Sequence, residues 1–184
     1  MTVGLECGIM TRDIIEASNM VKYGQPIDLM TIDVSQQLMT TWYQEKKIAQ
    51  YTVSTAKNGV GEEQDSEKTP RGWHQVVEKY GDNHAINSVF VGRIWTGEIY
   101  DSNLKAQFPD RDWILTRILR LSGLEPGKNQ GGNVDSFNRY IYIHGTPDDV
   151  ELGKPGSHGC IRINNSDIIK LYTQVSCGIR VFIS

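Results

Sequence analysis

The sequence predicts a mainly β domain with a few short helices, and three observations carry that prediction. Residues 29–55 hold the apolar stretches LMTIDV, QLMTTWY and KIAQYTVST, joined by short links. Within the third, Ala49, Tyr51 and Val53 alternate with Gln50 and Thr52, the period of two that a half-buried strand imposes. Further β-branched and aromatic runs, among them NRYIYIH and GIRVFIS, recur down the chain with turn-forming residues between them.

Taken in order, residues 11–22 (TRDIIEASNMVK) read as a short helix with Thr11 as N-cap. Strands at 29–34, 37–43 and 47–55 follow, and their short links imply antiparallel pairing. Residues 57–72 are polar and glycine-rich and read as a loop, after which HQVVEKY and SVFVGRIW read as strands. Residues 112–122 (DWILTRILRLS) place apolar side chains at 114, 115, 118, 119 and 121, which is helical spacing, and Gly123 is suited to end such a helix. LEPGKNQGGNVDS reads as a flexible loop and NRYIYIH, 138–144, as a strand. Ile168, Leu171, Tyr172 and Val175 mark one face of a helix that Asn165 or Ser166 caps and Gly178 ends, and GIRVFIS closes the chain as a strand. No internal repeat or interdomain linker interrupts the series.

The 184 residues suffice for one domain with a sizeable core. The net charge is −3 and no basic run of five residues occurs, so neither nucleic acid nor an anionic membrane surface is an expected partner. No apolar window approaches the roughly 18 residues needed to span a bilayer. The opening MTVGLECGIMTRD lacks a basic residue ahead of its apolar ones and is broken by Glu6, so it does not read as a signal peptide. The expected location is cytoplasmic, or periplasmic if a leader has been removed. The three cysteines, an odd number, do not suggest a disulfide framework, so Cys7, Cys160 and Cys177 are expected to be reduced, with Cys177 a buried apolar filler.

The richest chemistry lies in IHGTPDDVELGKPGSHGCIRINN, residues 143–165. As a metal site, His144, His158 and Cys160 offer three ligands, with Glu151 or Asp149 to complete the set, but no Cys-x-x-Cys or His-x-x-x-His pair accompanies them. As an inert turn, Pro147, Gly153, Pro155 and Gly156 are accounted for, but the histidines and the cysteine are not. As a nucleophile with its base, the set explains more. A thiol with an ordinary pKa of about 8.5 needs an imidazole to take its proton and hold the thiolate as an ion pair. Gly159 admits close approach of a substrate to the backbone, and the N–H groups around His158, Gly159 and Cys160 are placed to receive an oxyanion. His74 and His84 lie away from this stretch and read as surface residues.

At this point the chain resembles a known family. His144-Gly-Thr, with twelve residues between His144 and Ser157, then SHGCIR, is similar to the active-site signature of the L,D-transpeptidase (YkuD-type) catalytic domain. VSTAKNGVGE, KTPRGWH, TRILRLSGLEPGKN and NRYIYIHGT extend the likeness. The resemblance implies a catalytic domain over 27–184 behind an N-terminal helical extension, 1–26, with two packed mixed β-sheets. It implies attack by the cysteine on the carbonyl of the third residue of a peptidoglycan stem tetrapeptide, usually diaminopimelate, with release of the terminal D-alanine. The thioester then passes to an amine, giving a cross-link, or to water. On this reading Cys160 is the nucleophile and His144 the base, oriented by the carbonyl of Gly145, while His158 and Gly159 shape the oxyanion site. Tyr142 lies on the face of the strand that carries His144. With Ser157, Arg162 and Arg139 it is a candidate for substrate contact, the arginines through a substrate carboxylate. No cofactor and no metal are implied. The expected cytoplasmic location favours water as acceptor and a soluble muropeptide as substrate, making an L,D-carboxypeptidase. A cross-linking transpeptidase is the alternative in the same chemistry, and a stem-peptide binding module the alternative without catalysis. The 123–137 loop is expected to lie over the site.

Overall fold

A computed structural model describes residues 26–184. The expected helix at 11–22, and Cys7, lie outside the described residues.

β1 (Leu29–Asp33), β2 (Leu38–Tyr43) and β3 (Lys46–Ser54) form the expected antiparallel meander. β4 (Gly72–Tyr80) follows the 57–72 loop, and β5 (Ser88–Val91) with β6 (Ile94–Ile99) makes a hairpin. Then come a short helix α1 (Ser102–Gln107), β7 (Ile114–Gly123), β8 (Tyr142–Thr146), β9 (Ile161–Asn164), α2 (Asn165–Gln174) and β10 (Arg180–Ile183). α1 has no apolar stripe to announce it: none of its residues is buried, and it starts where the Asp101 carboxylate accepts from the Leu104 N–H. In α2 the N-cap is Asn164, one residue earlier than expected, its side chain accepting from the Ser166 N–H.

The strand order β4-β10-β1-β2-β3-β9-β8-β7 returns to β4, because β7 pairs with β8 on one edge and with β4 on the other. The mixed sheet thus closes into a flattened, barrel-like sandwich, with β5–β6 attached to the first residues of β7. The β1–β10 and β8–β9 pairs are parallel. Inside, Met30, Ile32, Val53, Leu119, Ile143 and Ile161 meet side chains from the rest of the ring, and α2 lays Ile168, Leu171 and Tyr172 against them. None of the described helices is long and apolar enough to cross a membrane.

Residues 112–122 do not form the expected helix; most of them are in β7. A strand at the centre of the sheet is covered on both faces, so it shows no polar alternation. Ile118 packs with Phe90 and Tyr142, while Leu119 and Leu121 face the main core. A bulge between Leu115 and Ile118, with Thr116 at φ +70°, inserts an extra residue and turns strand spacing into what reads as helical spacing.

The 123–137 loop is tied down at the start of β4. Buried Asn129 donates to the carbonyls of Arg71 (2.9 Å) and Trp73 (3.1 Å). His74 is not on the surface as expected: it is fully buried, with Nδ1 3.0 Å from Gly72 O and Nε2 3.0 Å from Ser136 Oγ. Cys177 also departs from expectation, being half-buried and disulfide-bonded.

Burial lowers the His74 pKa to about 4, only partly offset by the Gly72 carbonyl. The unfolded chain takes up a proton that the native state resists. Stability should therefore hold above the ordinary histidine pKa and fall as pH drops from there toward about 4, by roughly 3 kcal/mol from this residue. Denaturant unfolding of the protein and of His74→Gln between pH 7 and 4 checks this: the variant should lose that part of the slope.

Candidate active site

β8 and β9 run parallel in adjacent positions, with Ile143 opposite Ile161 and His144 opposite Arg162. Alternation then sorts the side chains. Ile143, Ile161 and Ile163 enter the main core, while Tyr142, His144 and Arg162, and Cys160 at the threshold of β9, take the other face. There Cys160 packs against the cluster of Phe90, Ile118 and Tyr142.

His144 is buried, and its Nδ1 lies 2.8 Å from the Gly145 carbonyl. A carbonyl only accepts, so Nδ1 carries the proton and Nε2 presents a lone pair. Gly145 is required on its other face. A Cβ there would stand 2.3 Å from Asn165 Oδ1 and 2.7 Å from Leu115 O. Asn165 belongs to a polar chain that the bulge of β7 creates: Thr116 Oγ1 donates to Asn165 Oδ1 (2.6 Å) and accepts from the Asn87 N–H (3.0 Å). Asn165 Nδ2 in turn donates to Asn87 Oδ1 (2.8 Å).

The turn bearing Cys160 is held from within. Ser157 is buried, its Oγ donating to Cys160 O (2.5 Å) and accepting from the Gly159 N–H (3.2 Å). Ser157 thus spends its hydroxyl on the turn, and Gly159 spends its N–H on Ser157. Gly159 has φ +136°, which side-chain-bearing residues rarely adopt, and a Cβ on it would press Ile141 at 3.3 Å. Thr69, which the sequence did not single out, donates to Gly159 O (3.0 Å) while accepting from the Ala56 N–H (2.9 Å). The half-buried Cys160 Sγ is 3.4 Å from Tyr140 O.

The electrostatics differ from the ion pair expected at the outset. Burial pushes the Cys160 thiol up to about 12, although the Tyr142 N–H works against it. Burial also lowers His144, with Asp112 and the Gly145 carbonyl offsetting only part. Both shifts favour the neutral thiol and the neutral imidazole.

The arginines proposed to bind a substrate carboxylate have protein partners. Arg139 donates to Glu62 O (2.7 Å), Lys68 O (2.7 Å) and Gly61 O (3.2 Å), stitching down the 57–72 loop. Arg162 donates to Gly156 O (2.9 Å) and forms an ion pair with Asp112 (2.7 Å). Tyr142 is buried and its hydroxyl accepts from Arg93 (3.1 Å). Asp112 is the charged residue that sequence reasoning missed. It joins Arg162 to His158, whose Nδ1 lies 3.0 Å from its other oxygen. Burial alone would raise Asp112; Arg162, His144 and His158 outweigh that and hold it below the usual carboxylate range. It stands at the end of the charged stretch Asp110-Arg111-Asp112, 46 residues from His158, with nothing local to set it apart. Among the described residues no group of three or more His, Cys, Asp or Glu is placed to hold a metal.

Two cavities of about 230 Å³ each lie beside the turn, and His158 lines both. Asp112, Arg162 and Thr146 wall one of them; Arg139, Tyr140 and Ile141 wall the other.

With this geometry, residues 28–183 match the YkuD family, the L,D-transpeptidase catalytic domain, and the chain belongs to that family. A probable L,D-transpeptidase ErfK/SrfK of Salmonella typhimurium is 29% identical over 130 residues, which is 71% of this chain and 37% of that protein. A putative L,D-transpeptidase YkuD of Bacillus subtilis is 37% identical over 62 residues, 31% of this chain and 38% of that protein. The chain thus spans well under half the length of these curated relatives. L,D-transpeptidase 3 of Mycobacterium tuberculosis, solved with a faropenem-derived adduct, shares the fold: TM-score 0.53, 18% identity, 87% of this chain and 61% of that one.

A neutral pair has a definite pH signature. The acid limb of kcat/KM should fall below the ordinary imidazole pKa, because His144 is lowered and must be neutral to accept a proton. His144→Ala should lose activity with little recovery up to about pH 10, because a thiol displaced to about 12 does not ionise unaided there. Pre-steady-state D-alanine release across pH checks both. Strong recovery near pH 8 would show an ordinary thiol.

Proposed function

We propose that this domain is a cysteine acyl-transfer enzyme acting on peptidoglycan stem peptides, with Cys160 as nucleophile and His144 as base. The observation that carries the reading is the pairing of β8 with β9. It puts Cys160 on the face of His144, whose Nε2 is left with a lone pair by the Nδ1 contact to Gly145. As Sγ attacks the carbonyl of the third stem residue, Nε2 takes the thiol proton. The bond to the terminal D-alanine breaks, and His144 returns the proton to the departing amine. The thioester remains on Cys160. His158 stands at the mouth of the site, its side chain 59% exposed, where it meets substrate rather than core.

The second half-reaction has two acceptors to choose from. The hydrolytic, cytoplasmic reading of the sequence rested on location. Two cavities beside the Cys160 turn, both lined by His158 and neither by Cys160 or His144, offer separate places for a donor and an acceptor peptide. Two separate seats favour an amine acceptor and a cross-linking transpeptidase, with L,D-carboxypeptidase activity as the water-accepting branch of the same thioester. A binding module without catalysis would have no use for a base held in one tautomer beside a thiol.

Purified protein given a diaminopimelate tetrapeptide should release D-alanine and form cross-linked dimer, read by mass spectrometry. Tripeptide alone would establish the carboxypeptidase. Cys160→Ala should release no D-alanine and retain the fold by circular dichroism. Since a family relative carries a faropenem-derived adduct, faropenem should add one adduct per chain, absent from Cys160→Ala. No turnover together with no faropenem adduct would favour the binding module.

A further inference from the structure

Asp112 sits outside the signature motif and touches neither Cys160 nor His144 by hydrogen bond, yet it contacts two residues flanking the nucleophile. One carboxylate oxygen lies 3.0 Å from Nδ1 of His158 and the other accepts from Arg162 at 2.7 Å. Arg162 is anchored in turn, through Gly156 O at 2.9 Å and by its place in β9. His158 has no such anchor in its own turn: it is exposed, and it follows Ser157, whose hydroxyl is taken up by Cys160 and Gly159. Its imidazole is nevertheless common to the two cavities beside that turn. Asp112 itself lines only the first of them, so its hold on the ring comes from that side.

We propose that Asp112 is a positioning residue that pins His158 as the wall between the two cavities, and that this wall decides whether the thioester goes to an amine or to water. The inference rests on the acyl-transfer reading above. With the ring pinned, the acceptor peptide has its own walled cavity and its amine approaches the thioester from there. The amine nitrogen attacks the thioester carbonyl and a C–N bond forms as the C–S bond breaks. His144 takes the amine proton and gives it to the departing sulfur, regenerating the thiol. With the ring released, the two cavities merge, the acceptor loses its bounded seat, and water makes the same attack to give a free carboxylic acid and the same thiol.

The test is the partition of one acyl-enzyme. Acyl-enzyme is formed with tetrapeptide and then chased with increasing amine acceptor, and dimer and tripeptide are counted by mass spectrometry. The ratio is taken per thioester consumed, so any change in acylation rate cancels. Asp112→Ala should lower the dimer-to-tripeptide ratio about 10-fold and raise the acceptor concentration at half-maximal transfer, the scale expected when a charge-assisted hydrogen bond is lost. Asp112→Asn keeps an oxygen for His158 and should recover part of the ratio, which a merely structural role for the charge would not produce. Should Asp112→Ala fail to fold, Asp112→Asn still carries the test: a ratio a few-fold below wild type is expected, and one equal to wild type overturns the proposal. A ratio in Asp112→Ala equal to wild type, or a wild-type enzyme that yields tripeptide alone, overturns the proposal. Failure of the wild type to form any acyl-enzyme at Cys160 would instead overturn the acyl-transfer reading beneath it.

Discussion

The site depends on one constraint, the parallel pairing of β8 with β9 in a single register. Parallel neighbours cannot be joined by a tight hairpin, so the chain must leave the sheet and return. Residues 147–160 make that excursion, and their return delivers Cys160 opposite Tyr142, two residues short of His144. A slip of one residue would send Cys160 into the core and an isoleucine into the site. The register is held by Ile143, Ile161 and Ile163, all completely buried on the core side. The same hydrophobic contacts that close the barrel therefore set the geometry of the catalytic face.

Burial then sets the chemistry. A site facing water would leave thiol and imidazole near their ordinary pKa values and allow an ion pair. Here His144 is buried and Cys160 half-buried, which disfavours each charged form. His144 is held in one tautomer by the Gly145 carbonyl. A backbone carbonyl is a dipole rather than a charge, so it orients the ring without fixing a positive charge on it. The nearby charge is Asp112, and its own partners, Arg162 and His158, absorb much of its field.

A strained element next door serves this arrangement. Thr116 is β-branched and has φ +70°, a costly combination. The bulge it makes directs its hydroxyl to Asn165, beneath Gly145. The bare Cα of Gly145 lets that polar chain approach, and the carbonyl of the same residue is the one that holds His144. Strain in β7, a glycine in β8 and a buried asparagine at the start of α2 are three parts of one support.

Much of this was legible in the sequence. The meander from residue 29, the final helix and the terminal strand follow from alternation, helical spacing and capping, which are local properties. The clustering of His144, His158 and Cys160 in a turn-rich stretch was legible because they are close along the chain. The β7 strand was not, since its pattern reflects burial on two faces and a bulge, both imposed by neighbours distant in sequence. The uses of Arg139, Arg162 and Ser157 were not legible either: residue type shows what a side chain can donate, and only the fold shows which acceptors already claim it. By itself the sequence determined the β-rich class, the family, and the histidines and cysteine able to do chemistry, because these depend on local periodicity and on the order of residue types. Only the tertiary structure decided the shared face of His144 and Cys160, the burial around them and the contacts of Asp112. Strand register, exclusion of water and contact across 46 residues are properties of the packed chain, with no local pattern to announce them.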